Sequence, residues 1–408
     1  MRAALLLLVL GTLAACDGNL APRSGTSASG EPAADRTEGG ASASHRAGEE
    51  PKPGAEADTN RLEALRASSL PGGFELVTAP RAFQFPLDHG PHPNFRHEWW
   101  YVTGHLDTPG GEPFGFELTF FRFALTPPAT TAATEPAQSA WRARQIYMAH
   151  FAVSDIARKN FVVSERFARD ALGLAGAQAD PFRVSLDDWS LAATPDSKSW
   201  RLVAADKGYS LDLAMDPSAP LMLNGDDGFS RKSDAEGAAS YYYSIPRMSA
   251  QGKLTRDGKS VDVRGTVWLD REWGSGALGS DQQGWDWFAL QLDDGSALMF
   301  YALRKQDGQR DAHSAGTWLA PDGKALALTN DDVQIDTTAE WTSPHGTRYP
   351  ARWQVRVPKL DLDVDIQPRL ANQELNTSTR YWEGASRVKG TRANKPIEGK
   401  AYVELVGY

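Results

Sequence analysis

Short segments in which apolar and polar side chains alternate recur through most of the chain, and this pattern limits the fold more than any other feature. In residues 114–125, apolar side chains occupy the even positions from 114 to 120, as in a strand with one buried face. A Thr-Pro-Gly-Gly turn at 108–111 joins it to the run 99–106, which predicts a hairpin. Similar runs follow at 145–153, 182–191, 200–205, 209–215, 252–256, 261–270, 285–292, 297–304, 352–357, 362–366 and 401–406. Such spacing is typical of an all-β antiparallel barrel or sandwich, with short helices expected only at 61–68 and 165–174.

A weak internal repeat divides the strand-rich part of the chain. Trp99-Trp100-Tyr101 is followed by Leu-Asp, a glycine turn and a Phe-rich strand. About 186 residues later, Trp285-Asp286-Trp287 is followed by Leu-Asp, a glycine turn and another aromatic strand. A repeat of this length indicates two related barrel-like domains. We place the first at residues 61–250 and the second at 251–408.

The N-terminus carries the signals of an exported, lipid-anchored protein. One positive charge, a short apolar run and small residues predict a signal peptide at residues 1–15. Leu13-Ala14-Ala15-Cys16 resembles a bacterial lipobox, whose cysteine is acylated after cleavage; the alternative is an ordinary cleavage site with an incidental cysteine. Residues 16–60 contain one large aliphatic side chain and no aromatic one. We therefore expect a disordered, lipidated tether over that range.

The predicted location is a bacterial membrane, facing the periplasm or the cell surface. Asp17 resembles the residue that retains enterobacterial lipoproteins at the inner membrane. Cys16 is the only cysteine of the chain, so the body has no disulfides and the lipid anchor is the expected link to the membrane.

Composition excludes some functions and leaves others open. The net charge is −9 and no basic cluster stands out, so nucleic acid is not expected as a partner. All 13 tryptophans lie at or after Trp99. They suit the walls of a ligand site, but equally an aromatic barrel core. The chain has no phosphate loop, dinucleotide fingerprint or serine-hydrolase elbow, and no cofactor is expected.

Asp270 is the first candidate for acid catalysis. If 261–272 is a strand, Trp268, Asp270 and Glu272 share one face. In an apolar cavity, desolvation and the neighbouring carboxylate would raise a carboxyl pKa. A neutral acid beside aromatic rings can protonate a carbon–carbon double bond, and the rings stabilise the cation formed. Alternatively, Asp270 or Glu272 pairs with Arg271 or another arginine at a strand end.

Glu98 is the second candidate. It precedes three aromatic residues, in a segment that holds four of the eight histidines within residues 89–105. A metal is not expected, because His97-Glu98-Trp99-Trp100-Tyr101 ends in Tyr where the zincin helix motif needs His. Glu98 is interpreted as a buried hydrogen-bond acceptor or as a pocket residue.

At these segments the chain resembles the AttH-like proteins, which are related to carotenoid 1,2-hydratase (hydroxyneurosporene synthase). The resemblance covers about Phe85 to Tyr408. It rests on His97-Glu98-Trp99-Trp100-Tyr101, Tyr241-Tyr242-Tyr243-Ser244, Asp270-Arg271-Glu272-Trp273, Trp285-Asp286-Trp287 and Tyr381-Trp382-Glu383-Gly384. It implies two lipocalin-like (calycin) antiparallel β-barrel domains side by side. The family also includes fungal cyclases that fold a polyene substrate between the domains.

The resemblance also implies a role for one aspartate. In the hydratase the matching segment is similar to Tyr-x-Asp-His-Asn-x-Gly, and its aspartate is taken as the proton donor. Here Asp270 keeps the acid, Trp268 replaces the tyrosine, and Arg271-Glu272 replaces His-Asn. An arginine nearby could hold Asp270 ionised and so remove its acid function.

Two functions follow as hypotheses. The first is a membrane-tethered lipoprotein that binds a lipid, isoprenoid or polyketide-like molecule in a barrel mouth or between the barrels; the family suggests that it works beside an ABC-type export system. The alternative is a cofactor-free hydratase or cyclase with Asp270 as general acid. A structural or adhesion role, with the aromatics as core, is the third. The predicted catalytic residues are Asp270, Glu272 and Glu98. The predicted ligand-binding residues are Trp99, Trp100, Tyr101, Tyr243, Trp268, Trp285, Asp286, Trp287, Tyr381, Trp382 and Glu383.

Overall fold

In the computed structural model, residues 72–128, 143–194, 198–276 and 278–408 are described. The predicted signal peptide, Cys16, Asp17 and the tether lie outside these residues, and those assignments stay predictions. All described residues belong to one compact unit. Within these ranges no helix is long and apolar enough to cross a membrane.

Strands dominate the described residues, as the alternating pattern predicts. The strands are β1 (His97–Asp107), β2 (Pro113–Ala124), β3 (Gln145–Asp155), β4 (Asn160–Arg169), β5 (Ala175–Ala179), β6 (Phe182–Leu186), β7 (Trp189–Ala193), β8 (Trp200–Asp206), β9 (Tyr209–Pro217), β10 (Met222–Leu223), β11 (Phe229–Arg231), β12 (Ala239–Arg256), β13 (Lys259–Gly276), β14 (Gln282–Leu292), β15 (Ala297–Lys305), β16 (Ala315–Leu319), β17 (Ala325–Leu328), β18 (Gln334–Thr342), β19 (Arg348–Val357), β20 (Leu362–Pro368), β21 (Glu374–Asn376), β22 (Arg380–Arg392) and β23 (Lys395–Val406). Short 3-10 turns lie at Leu87–His89, Asn330–Asp332 and Pro358–Leu360.

The first barrel is a 13-stranded antiparallel sheet with the order β4-β3-β2-β1-β13-β12-β9-β8-β7-β6-β5, and the short strands β10 and β11 pair with β12. Its edge strands β4 and β5 contact each other. Inward-facing side chains such as Trp100, Phe116, Leu213 and Trp273 fill the interior. The barrel interior is thus a packed core rather than a ligand chamber.

The second barrel is a 10-stranded antiparallel sheet with the order β17-β16-β15-β14-β23-β22-β20-β19-β18, and β21 pairs with β22. It curls around its own apolar core, which includes Phe288, Trp353, Val403 and Trp382. The predicted class, all-β with two lipocalin-like barrels, is confirmed.

The order of the strands contains the predicted repeat. Strand β1 lies between β2 and β13, and β14 lies between β15 and β23 in the same arrangement. A third apolar cluster lies where the two sheets pack together, and it includes Tyr101, Trp268, Trp287 and Tyr381. Tyr101 and Trp287, which are equivalent in the repeat, meet edge to face with ring centroids 5.2 Å apart.

Two expectations differ from the structure. The boundary between residues 250 and 251 falls inside β12, and the first sheet continues to Gly276 because β13 pairs with β1 along its length. The helix expected at 165–174 is replaced by the end of β4, Asn160–Arg169. A strand forms there despite the local helical pattern, because β4 pairs with β3 along its whole length.

Candidate active site

A cavity lies between the outer faces of the two barrels. Its free volume is about 90 Å³, several times the roughly 10–15 Å³ that one buried water needs. Most of its wall is aromatic, with a few ionisable groups. The lining residues are Trp99, Tyr101, Phe121, Phe123, Lys232, Tyr242, Asp270, Glu272, Leu278, Trp285, Trp287, Tyr301, Leu303, Tyr381 and Glu404.

Strand alternation in β13 places Asp270 in this wall. Leu269 and Trp273 belong to the core of the first barrel, whereas Trp268 belongs to the cluster between the barrels. The face predicted from the sequence is therefore the face observed. Asp270 is only 3% exposed, so its charged form has lost nearly all its hydration.

In its ionised form, Asp270 accepts three hydrogen bonds from neutral donors. The Ser244 hydroxyl donates to Oδ1 at 2.5 Å, the Trp268 Nε1 donates to Oδ1 at 2.6 Å, and the Tyr242 hydroxyl lies 2.5 Å from Oδ2. Burial raises the pKa of Asp270 to about 7, although these three donors act to lower it; the charge of Glu272 adds to the rise. A substantial fraction of Asp270 is therefore a neutral carboxylic acid at neutral pH.

Glu272 has a different partner. The Lys232 ammonium lies 3.2 Å from its Oε1 and 3.7 Å from the ring centroid of Tyr301, and the Ser240 hydroxyl also donates to it. Burial acts to lower the pKa of Lys232, but Glu272 and Tyr301 raise it above its ordinary value. Glu272 thus forms an ion pair in the wall of the cavity, and the pair gives an otherwise apolar wall two fixed charges.

Arg271 points away from Asp270. Its guanidinium donates to Glu98 at 2.8 Å and to the Trp99 carbonyl at 2.8 Å, and it stacks on the Trp100 ring at 4.0 Å. The alternative in which Arg271 holds Asp270 ionised is therefore not what the structure shows, because the two side chains leave β13 on opposite faces.

Glu98 lies inside the first barrel and not at the cavity. It is fully buried, and it accepts hydrogen bonds from both Arg122 and Arg271. Burial acts to raise the pKa of Glu98, but the two guanidinium groups hold it well below its usual range. Glu98 is therefore not among the residues that line this cavity, and its contacts are those of a buried hydrogen-bond acceptor.

The other predicted residues divide by strand face. Five of them line the cavity: Trp99, Tyr101, Trp285, Trp287 and Tyr381. Trp268 does not line the cavity, but its Nε1 donates to Asp270. Trp100, Tyr243 and Trp382 point into the barrel cores instead. Asp286 pairs with Arg304 at 2.9 Å on the other face of β14. Glu383 is buried near Tyr101. Burial raises the pKa of Tyr101, and the charge of Glu383 raises it further.

Sequence reasoning missed several residues of the site. Tyr242 and Ser244 alternate with Tyr243 on β12 and lie in register with Glu272 and Asp270, so the alternation that identified Asp270 would have identified them as well. The Asn224 amide donates to the Ser244 hydroxyl at 2.8 Å. For Lys232, which lies outside the strands, the sequence pattern contains no comparable signal.

Comparisons with known proteins agree with this architecture. The AttH-like family model matches residues 76–408. The crystal structure of an AttH protein from Nitrosomonas europaea is 36% identical, with a TM-score of 0.73, and the match covers 82% of this chain and all of that one.

Two further proteins are more distant. Kievitone hydratase from Nectria haematococca shares the fold, with a TM-score of 0.62 and 15% identity over 83% of this chain and 97% of that chain. The dehydratase asqC of Emericella nidulans is 23% identical over 224 residues, which are 50% of this chain and 60% of that protein. The match thus covers less than two thirds of the dehydratase.

Proposed function

The chain belongs to the AttH-like family, and from this premise we propose that it is a cofactor-free hydro-lyase, which adds water to or removes it from an apolar, unsaturated small molecule. The observation that carries the proposal is the buried Asp270, whose pKa burial raises to about 7, in an aromatic cavity. The names of two similar proteins, a hydratase and a dehydratase, support the same class of reaction.

The proton arrangement around Asp270 suits a general acid. Since Oδ1 accepts from both Ser244 and Trp268, the acidic proton belongs on Oδ2, next to Tyr242. The Tyr242 oxygen then accepts from Asp270 and from the Trp287 Nε1, which lies 2.9 Å away. With both lone pairs used, the Tyr242 hydrogen turns away from Asp270. Asp270 and Tyr242 both line the cavity, so a proton can reach a substrate from either group.

The walls of the cavity favour substrates that form stable cations. A carboxylic acid is a weak acid for protonating a double bond, so the carbocation needs substituents and surroundings that lower its energy. The rings of Trp99, Tyr101 and Trp285 supply π faces that attract positive charge. A branched alkene of the isoprenoid type, which gives a tertiary cation, is therefore the substrate class that we propose.

The test uses oxygen-18 water. The full-length protein is incubated with neurosporene and with kievitone, and products are examined by mass spectrometry for oxygen-18. We expect Asp270→Asn to lower turnover by at least about 100-fold, with probe binding, followed by tryptophan fluorescence, nearly unchanged. Asp286→Asn is the matched control, because Asp286 is an aspartate on the far face of β14.

Two outcomes would contradict the proposal. Turnover that survives in Asp270→Asn would exclude this residue as the acid. A protein that binds the probes tightly but adds oxygen-18 to neither would be a carrier of apolar molecules, as in the binding hypothesis, rather than an enzyme.

We also propose that Cys16 anchors the protein to a membrane on the outer side of the cytoplasm, where apolar substrates concentrate. The lipobox-like segment Leu13-Ala14-Ala15-Cys16 supports this location. Metabolic labelling with a radioactive fatty acid should label the protein, and Cys16→Ser should remove the label. Equal labelling of both forms would contradict the anchor.

A further inference from the structure

A series of hydrogen-bonded side chains, separate from Asp270, leads from the same cavity to the protein surface. The Tyr381 hydroxyl lies 2.6 Å from Nδ1 of His150, and Nε2 of His150 lies 3.0 Å from Oε1 of Glu165. Ser378 donates to Glu165 through its hydroxyl at 2.6 Å and its backbone N–H at 3.1 Å. Tyr381 lines the cavity, whereas the Glu165 side chain is 16% exposed. Three side chains thus connect the cavity with solvent.

The fold holds this chain of contacts in place. His150 on β3 lies directly opposite Glu165 on β4 in the antiparallel ladder. Its neighbours Ala149 and Phe151 point into the first barrel, so His150 faces the second barrel, where Tyr381 extends from β22. His150 is fully buried. The contacts therefore exist only when the two barrels are packed together.

The partners determine which nitrogen of His150 carries the proton. Burial acts to raise the pKa of Glu165, but hydrogen bonds from His150 and Ser378 hold it below its ordinary value. A carboxylate can only accept, so Nε2 of His150 is the protonated nitrogen. In the neutral imidazole, Nδ1 then carries the lone pair and accepts the hydroxyl proton of Tyr381. This is the order of groups that a catalytic triad uses to activate a hydroxyl.

We infer that Tyr381, His150 and Glu165 form a proton relay that supplies the second proton transfer of the reaction, opposite Asp270. The inference rests on the proposed function and names the group that handles the proton of water. Tyr381 is the catalytic residue of the relay, and His150 and Glu165 are positioning residues that act through it.

Hydration requires two proton transfers, one from Asp270 to the substrate and one from water to Tyr381. The π electrons of the substrate take the proton of Asp270 and form a C–H bond, which leaves a carbocation and the Asp270 carboxylate. An oxygen lone pair of water forms the C–O bond, and the proton that this oxygen loses goes to the Tyr381 oxygen while the Tyr381 proton moves to Nδ1 of His150. The imidazolium faces the Glu165 carboxylate. It releases its Nε2 proton to solvent past Glu165 at the exposed edge near Ser378, and Asp270 takes one proton up. Transfer of the remaining Nδ1 proton to Nε2 by exchange with water then restores the starting tautomer of His150. Dehydration is the same sequence reversed.

Kinetics of single variants test the relay. With the oxygen-18 assay and the same two probes, Tyr381→Phe and His150→Gln should each lower kcat by roughly 10²–10⁴-fold and leave KM nearly unchanged. Glu165→Gln keeps an acceptor oxygen and loses only the charge, so its loss should be smaller. His105→Gln is the matched control, since His105 is also buried between the barrels but bonds the Ala401 carbonyl at 3.0 Å. If His150→Gln and His105→Gln lower kcat equally, His150 has only a structural role.

A substrate-free measurement keeps the inference separate from the proposed function. In the full-length protein labelled with ¹⁵N-histidine, long-range ¹H–¹⁵N spectra should show His150, assigned from the His150→Gln variant, with Nε2 protonated and Nδ1 unprotonated. A proton on Nδ1 would overturn the relay even if hydration is observed, because Tyr381 could not donate to it. Conversely, the predicted tautomer in a protein without turnover would leave the relay geometry intact and count against the proposed function instead.

Discussion

Two buried carboxylates on opposite faces of the β1–β13 ladder have pKa values shifted in opposite directions. Glu98 points into the first barrel and meets two arginines, and its pKa lies well below the usual range. Asp270 points towards the second barrel and meets two hydroxyls and an indole, and its pKa is raised to about 7. Burial acts to raise both values. The charge of the partners decides the outcome, because neutral donors only partly replace the water that a carboxylate loses.

The largest effect that we expect is a loss of stability when the charge of Glu98 is removed. Glu98→Gln leaves Arg122 and Arg271 buried without their counter-charge, so we expect the free energy of unfolding to fall by about 3–5 kcal/mol. Urea unfolding followed by tryptophan fluorescence measures it. As a control, Asp212→Asn removes an exposed pair with Arg201 and should cost less than about 1 kcal/mol. A loss below 1 kcal/mol in Glu98→Gln would mean that the two faces do not differ in the way described.

For Asp270 we expect the opposite effect on stability: the charged carboxylate lowers the free energy of unfolding. In the unfolded chain this carboxyl ionises near 3.8, and in the folded protein at about 7. Folding is therefore favoured by the neutral acid below pH 4, and that contribution is lost as the pH rises towards 7. At about 1.4 kcal/mol per tenfold change in proton affinity, the loss reaches about 4 kcal/mol at most.

Asp270→Asn removes that penalty. We expect the variant to be about 2–4 kcal/mol more stable than the wild type at pH 8 and nearly equal to it at pH 3. Urea unfolding at both pH values measures the difference, and Asp212→Asn, at the exposed pair with Arg201, again serves as the control. A variant that is less stable than the wild type at pH 8 would show that the ionised Asp270 carboxylate carries no net penalty in the folded protein, which would remove the basis for its raised pKa and for its role as an acid.

Much of this comparison is readable from the sequence, and the reason is the period of the strand. The two-residue alternation around Trp268, Asp270 and Glu272 predicts their common face, and the repeat predicts two barrels. Tyr243 is among the predicted ligand-binding residues and Tyr242 is not, although the alternation along β12 places Tyr242 on the face of Asp270. The same rule that identified Asp270 excludes Tyr243 from its face.

Other features depend on contacts between distant parts of the chain. Arg122 lies opposite Glu98 in the β1–β2 hairpin, but Arg271 is 173 residues from Glu98 and meets it only when β13 pairs with β1. The sequence around Glu98 therefore carries no sign of this second arginine. In the same way, His150 and Tyr381 are 231 residues apart and meet only across the two barrels. Pairing of distant strands decides the first site and packing of the two barrels decides the second, and strand periodicity predicts neither.

The smallest effect that we expect concerns one hydrogen bond, from the Ser244 hydroxyl to Asp270. The Ser244 hydroxyl stabilises the charged form of Asp270, so Ser244→Ala should raise the pKa of Asp270 further, by less than about one unit. The rate of a reaction that needs the neutral acid should then stay high to a higher pH, and the basic limb of the pH–rate profile with neurosporene or kievitone should move upward. Lost packing alone would lower the rate at every pH without moving the limb. A limb that moves to lower pH would show that Ser244 stabilises the neutral acid, and that the protons at Asp270 are arranged in the opposite way.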